Sequence, residues 1–152
     1  MEVYSENLQR NVEVDTESFR GTAERILTSL VGPSGEASVV FVSDDRIREL
    51  NRDYRKIDLP TDVLSFSCYN DEMSGGVIGD VFISVETAGR QAAERGVSLE
   101  EELTRLMIHG LLHLVGHTHD GEEDGGRMRE LEEKLYAAHR IGTAGGEPTG
   151  EG

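Results

Sequence analysis

The sequence predicts one small domain that mixes short strands with helices. Three observations carry this. The chain has 152 residues, enough to bury a real core. Four short segments are β-branched and apolar, or alternate, as strands do. Five longer segments carry apolar residues at helical spacing or begin with helix-capping residues. We place the domain over residues 1–140 and expect residues 141–152, which are Gly-rich and polar, to be a disordered tail.

Residues 2–6 form a short first strand. Asp15 or Thr16 caps a first helix in which Phe19, Ala23, Ile26, Leu27 and Leu30 recur on one face, and Gly32, Pro33 and Gly35 end it. Ala37–Val42 is a buried strand. Asp44 or Asp45 caps a helix running to about Arg52, with Ile47 and Leu50 inward. Pro60 breaks the chain's regular structure beyond it. Val63–Phe66 and Val77–Val85 are strands, joined by the polar connection Tyr69–Gly76. Glu86–Arg95 is an Ala-rich helix closed by Gly96. Ser98 and Glu101 form a capping box at the start of the clearest helix, whose apolar face is Leu103, Leu106, Met107, Leu111 and Leu114, and which stops near Gly116. Glu122–His139 is the last helix, weakened by Gly125 and Gly126.

Composition narrows the functional classes. Apolar residues are 36% and charged residues 30%, and no apolar run reaches the roughly 18–20 residues that span a bilayer. Met1–Arg10 lacks the pattern of a secretory signal. A single cysteine, Cys68, excludes an internal disulfide framework and reads as a small buried residue at a strand end. These features favour the cytoplasm. Thirty acidic against 15 basic side chains give a net charge of −15, which argues against purely electrostatic binding of a polyanion. The charge is uneven: Arg46, Arg48, Arg52, Arg55 and Lys56 face only Glu49 and Asp53, whereas Asp120–Glu133 holds seven acidic residues against Arg127 and Arg129. Only Lys56 and Lys134 are lysines, and an acid-rich, Lys-poor surface is one adaptation to high salt.

Four of the five histidines, His109, His113, His117 and His119, fall within eleven residues. His109 and His113 are four apart on the capped helix, so both imidazoles share one face one turn apart, as two ligands of one metal require. A lone helical His is usually a core or surface residue; a pair at this spacing is not. Gly116 lets the chain turn back to bring in His119 as a third ligand. His117 competes for that place, but only on a continued helix, which Gly116 opposes. His139 is isolated and reads as a surface residue. Three nitrogens leave a coordination position open, the catalytic arrangement of zinc, although Ni, Cu and Fe also suit imidazoles. The spacing His-x3-His-x2-Gly-x2-His matches zinc proteases whose Glu beside the first His is the general base. Here that position is Gly110, so a peptidase of that type lacks its proton acceptor. Bound zinc lowers the pKa of water from about 15.7 to about 7, so hydroxide needs no such base, but phosphodiester cleavage would also want a nearby cation. Arg55 can supply one. From the residues alone it is equally a phosphate-binding fork or a helix C-terminal Arg favoured by the helix dipole.

The segment Leu50–Phe66, with its Pro60-Thr61-Asp62-Val63-Leu64-Ser65-Phe66, and the segment His109–His119 together closely resemble the YbeY family of bacterial endoribonucleases, or ribosomal RNA maturation factors. Gly79-Asp80-Val81-Phe82-Ile83-Ser84 resembles the family's Gly-Asp strand, and Met128 and Glu132 resemble the Met and Glu of its last helix. The resemblance covers residues 36–136. It implies an α+β fold: a small mixed sheet of about four strands packed with helices, the metal helix lining a cleft. It further implies a zinc-dependent, single-strand-specific endoribonuclease acting in 3′-end maturation of small-subunit (16S) ribosomal RNA and in ribosome quality control. On it, His109, His113 and His119 take the metal positions, one zinc per chain, and Arg55, His109 and His113 are the catalytic residues. The implied partners are single-stranded and ribosomal RNA, the small ribosomal subunit and an Era-type GTPase. Three positions depart from the family: Thr118 for an Asp before the third His, His117 for a frequent aromatic, and Ser67 for a Pro after the Phe. Thr118 can hydrogen-bond but carries no charge. Two rival readings are a metal-dependent hydrolase of another bond, peptides included, and a non-enzymatic ribosome-assembly module with a structural metal.

Overall fold

The computed structural model describes residues 1–117 and 122–139. The expected tail, residues 141–152, lies outside them, as do Thr118 and His119. In chain order the elements are β1 (Glu2–Asn7), α1 (Thr16–Val31), β2 (Glu36–Val42), α2 (Asp44–Arg55), β3 (Val63–Ser67), β4 (Val77–Ser84), α3 (Val85–Arg95), α4 (Leu99–Leu114) and α5 (Glu122–His139), with a 3-10 turn at Glu72–Ser74 between β3 and β4. The fold is α+β. The sheet order is β1-β2-β4-β3, with β1, β2 and β4 parallel and β3 antiparallel to β4 at one edge.

The helices form at the expected places for the expected reasons, with one exchange of cap. Asp15 caps α1 by accepting from the Ser18 N–H, and Ser98 and Glu101 form the capping box of α4. At α2 the cap is Ser43, not Asp44 or Asp45: its extended backbone ends β2, and its hydroxyl accepts from the Arg46 N–H. Asp44 sits in the first turn and turns its carboxylate to Ser84, Thr87 and Arg90. Burial alone would raise the Asp44 pKa, but these donors outweigh it and hold it below the ordinary carboxylate value. α2 runs one turn further than Arg52 and closes where Lys56 takes a left-handed conformation.

Two apolar layers sandwich the sheet. The larger contains Ala37, Val39, Phe41, Ile78, Val81 and Ile83 from the strands, with α1, α3, α4 and Met128 of α5 packed over them. The smaller holds Val40, Val42 and Leu64 against Ile47 and Leu50 of α2, with Phe66 and Phe82 beside them. α4 is buried on nearly every side, from Leu103 to Leu114. Each such side chain, fully buried, contributes roughly 1.5–3 kcal/mol, so the helix that carries His109 and His113 is held firmly. The β2–β4 register shifts by one residue at Glu36/Ala37, a bulge that leaves Ile78 extra on β4. Gly79 follows it at φ +148, pressed against the Phe66 carbonyl and Leu114, where no side chain would fit.

Candidate active site

α4 crosses β3 and β4 at close range because Gly110 has no side chain. A methyl group there would lie 2.6 Å from Val81 Cγ1, 3.1 Å from Ser65 Oγ and 3.2 Å from Val63 Cγ2. Ser65 Oγ donates to the Gly110 carbonyl at 2.9 Å, and Ser67 Oγ to the Leu114 carbonyl at 2.6 Å. The second bond satisfies one of the orphan acceptors at the helix end, a service that Pro at position 67 would not perform. The helix closes in a Schellman motif: His117 N–H reaches the Leu112 carbonyl, Gly116 N–H reaches the His113 carbonyl, and Gly116 has φ +99. Helix and edge strand are thus locked together just where the histidines stand.

His109 and His113 share a face as the four-residue spacing requires. Their ring centroids are 4.6 Å apart and inclined at 61°, close enough for both to ligate one ion. His109 Nδ1 lies 2.6 Å from Glu132 Oε2 of α5. An ionised carboxylate only accepts, so Nδ1 carries the proton and Nε2 keeps its lone pair for a ligand bond. A carboxylate behind a histidine is the usual outer support of a metal ligand, and the donor set therefore fits a transition metal. Met128, one turn before Glu132, is fully buried and anchors α5 so that the carboxylate reaches His109. Among the described residues no group of three or more His, Cys, Asp or Glu converges on a metal position; the expected third ligand, His119, lies outside them. His117 is half-buried beyond the helix end.

Arg55 comes to the same place from the other face of the sheet. It lines a cleft of about 400 Å³ with Val63, Leu64, Ser65, His109 and His113. The cleft runs along β3, whose far side has no neighbouring strand among the described residues. Register and flanking bonds (Ser84 N to Asp62 O, Cys68 N to Ile78 O) show that Leu64 and Phe66 bond to β4. By alternation, the backbone groups of Val63 and Ser65 point outward to the free edge. The basic stretch is less charged than it reads in sequence: Arg46 pairs with Glu49, Arg48 with Asp58 and Arg52 with Asp53. Arg55 makes no ion pair among the described residues, and Lys56 reaches only the Asp53 carbonyl.

A second cleft, also about 400 Å³, lies on the other side of His109 and includes Asp62, Arg95, Glu102, Arg105 and Glu132. Glu102 has no exposed surface, and neither carboxylate oxygen has a hydrogen-bond partner among the described residues. Its nearest cation is Arg95 Nε at 3.7 Å. Burial pushes its pKa above the ordinary value despite Arg95 and Arg105. The sequence marks Glu101 as the capping residue, and it sets Glu102 apart from Glu100 only by its place on the apolar side of the helix. Two other residues differ from expectation. Cys68 is half-buried rather than buried, and His139 is half-buried rather than on the surface, with burial and Arg25 holding its pKa below the ordinary value.

Comparison with known proteins decides the family. The family model described as "Endoribonuclease YbeY" matches residues 4–140. The chain belongs to the YbeY family. A protein named Endoribonuclease YbeY from Syntrophotalea carbinolica is 41% identical over 143 residues, covering 91% of this chain and 95% of that one. Another of that name, from Pelotomaculum thermopropionicum, is 44% identical over 145 residues, covering 89% and 95%. The solution structure of TM1509 from Thermotoga maritima has a TM-score of 0.59 and 26% identity, covering 90% of each chain. The matched residues include the Arg55 segment, the Gly79-Asp80 strand and the histidine helix. No described helix is long and apolar enough to cross a membrane.

Proposed function

We propose that this protein is a metal-dependent endoribonuclease that cuts single-stranded RNA, acting in 3′-end maturation of 16S ribosomal RNA and in ribosome quality control in the cytoplasm. Its metal is one zinc ion per chain, held by His109, His113 and His119. The small ribosomal subunit and an Era-type GTPase are its partners. The observation that carries the reading is the meeting of Arg55 with His109 and His113 in one cleft, although the two come from opposite faces of the sheet. Its family relatives bear the name endoribonuclease.

A bound zinc would supply a Lewis acid and an acidified water. The chain's own residues do the rest. Glu132 fixes the His109 tautomer, leaving Nε2 as the ring nitrogen able to ligate a metal. Arg55, without a carboxylate partner among the described residues, offers its guanidinium to the phosphoryl oxygens as negative charge grows there. The outward backbone N–H of Ser65 is a further donor on the same wall. The peptidase reading loses support, because position 110 faces Val81 and Val63 and has no room for a base.

The test is metal analysis paired with cleavage of single-stranded RNA and of an unstructured peptide. His113→Ala should lose metal and RNA cleavage together. Arg55→Glu should keep its metal and lose on the order of a hundredfold to a thousandfold in rate. RNA cleavage at the normal rate by Arg55→Glu removes that role. Chelation that leaves cleavage untouched removes the metal, and peptide cleavage without RNA cleavage removes the substrate class.

A further inference from the structure

Tyr54 precedes Arg55, yet its ring is not part of either apolar layer. It is 68% exposed. The ring rests against Phe66 at 5.1 Å in a tilted edge contact, and Phe66 rests on Phe82 at 5.7 Å. Phe66 lies two residues along β3 from Leu64, which lines the cleft. Tyr54 is therefore an outward aromatic at the mouth of the candidate site, supported from behind. Ile57 and Leu59, which follow in the chain, are also exposed, at 42% and 63%. Arg55 and Lys56, the two cations of this stretch without an ion-pair partner among the described residues, follow it directly.

An exposed aromatic beside such cations is what a single nucleic-acid strand requires: a flat apolar face for an unpaired base and positive charge for its phosphates. With a net charge of −15, this chain has little general attraction for a polyanion, so affinity must come from a local contact that is not purely electrostatic. We propose that Tyr54 is a base-stacking platform at the cleft mouth, on which one unpaired nucleobase of the RNA lies while Arg55 and Lys56 hold the adjoining phosphates. A base inside a duplex has both faces covered, so the platform selects single strands. The proposal rests on the endoribonuclease reading of the cleft and names the subsite that feeds it.

The chain contains no tryptophan, so Tyr54→Trp introduces a sole reporter at the platform. The probe is a single-stranded 2′-O-methyl oligoadenylate of about twelve nucleotides, titrated onto the full chain. Quenching of the Trp emission is expected, with a Kd near that of the unchanged protein. Tyr54→Phe should bind as the unchanged protein does, and Tyr54→Ala roughly 5- to 150-fold more weakly. The Ala variant should keep the salt slope of binding, whereas Lys56→Ala should lower that slope by about 0.7. Should Tyr54→Ala fail to fold, the Trp and Phe variants, which keep the Phe66 contact, still decide. An unquenched Trp in a complex that forms, or full affinity in Tyr54→Ala, overturns the platform, and in that case the exposed surface serves a protein partner. No binding by the unchanged chain overturns it too. The two readings separate cleanly: quenching without any RNA cleavage keeps the platform and sinks the nuclease, while cleavage with an unchanged KM in Tyr54→Ala does the reverse.

Discussion

His109 is held at both ends of its function. Its backbone belongs to a helix buried on nearly every side, and its Nδ1 meets Glu132 at 2.6 Å. The second contact gives a prediction at this scale. Glu132→Ala removes the acceptor, lets the imidazole change tautomer and turn, and should weaken zinc binding about 10- to 100-fold, read by competition with a chromophoric chelator. The protein should stay folded, since Glu132 lies outside both apolar layers. Unchanged zinc affinity would show that Glu132 does not support the ligand. The histidine pair was legible because a helix repeats every three to four residues and the capping box fixed the frame. Glu132 was legible only through resemblance, because its partner lies 23 residues away and two helices must pack before they meet. Glu102 was legible only as a carboxylate on the apolar side of the helix; its complete burial depends on how α3 and α5 close over α4, which no local pattern records.

Among the elements, α4 and β3 set the geometry of the cleft, and Gly110 sets their distance. Substituting Ala in a helix interior normally stabilises by about 1 kcal/mol through propensity. Here the new methyl would stand 2.6 Å from Val81, a fully buried residue on a strand bonded on both sides. Overpacking of this kind costs about 1–3 kcal/mol, and the strand cannot retreat, so the steric term wins. Gly110→Ala should lower the stability measured by urea unfolding and reduce RNA cleavage, because the helix must lift away from β3 and carry both histidines with it. A more stable Gly110→Ala protein would show that the close approach is not a constraint. Helix and strand positions were readable from caps and β-branched runs. The α2 cap, expected at Asp44 or Asp45, lies one or two residues earlier at Ser43; Asp44 is an equally good local cap, and its tertiary donors Ser84, Thr87 and Arg90 take it elsewhere.

At the scale of the molecule, Arg55 and the histidines converge because β3 is the edge strand, so helices from both faces can meet around its free side. Sheet order is a long-range property: the family resemblance implied a small mixed sheet of about four strands, and the order β1-β2-β4-β3 comes from the structure. Net charge, in contrast, is read directly, and it makes two salt effects run in opposite directions. Thirty carboxylates against 15 cations repel one another in the compact state. Screening shortens from about 10 Å at 0.1 M salt to about 3 Å at 1 M, so the urea midpoint should rise with added salt. RNA binding should weaken over the same range, because at the cleft mouth the phosphates meet favourable charge at Arg55 and Lys56. Two phosphate contacts on a single strand give a slope of about −1.4 in log affinity against log salt. Stability that ignores salt would refute both the repulsion argument and a high-salt adaptation. A slope several times steeper would mean that many more cations touch the RNA than the cleft mouth provides.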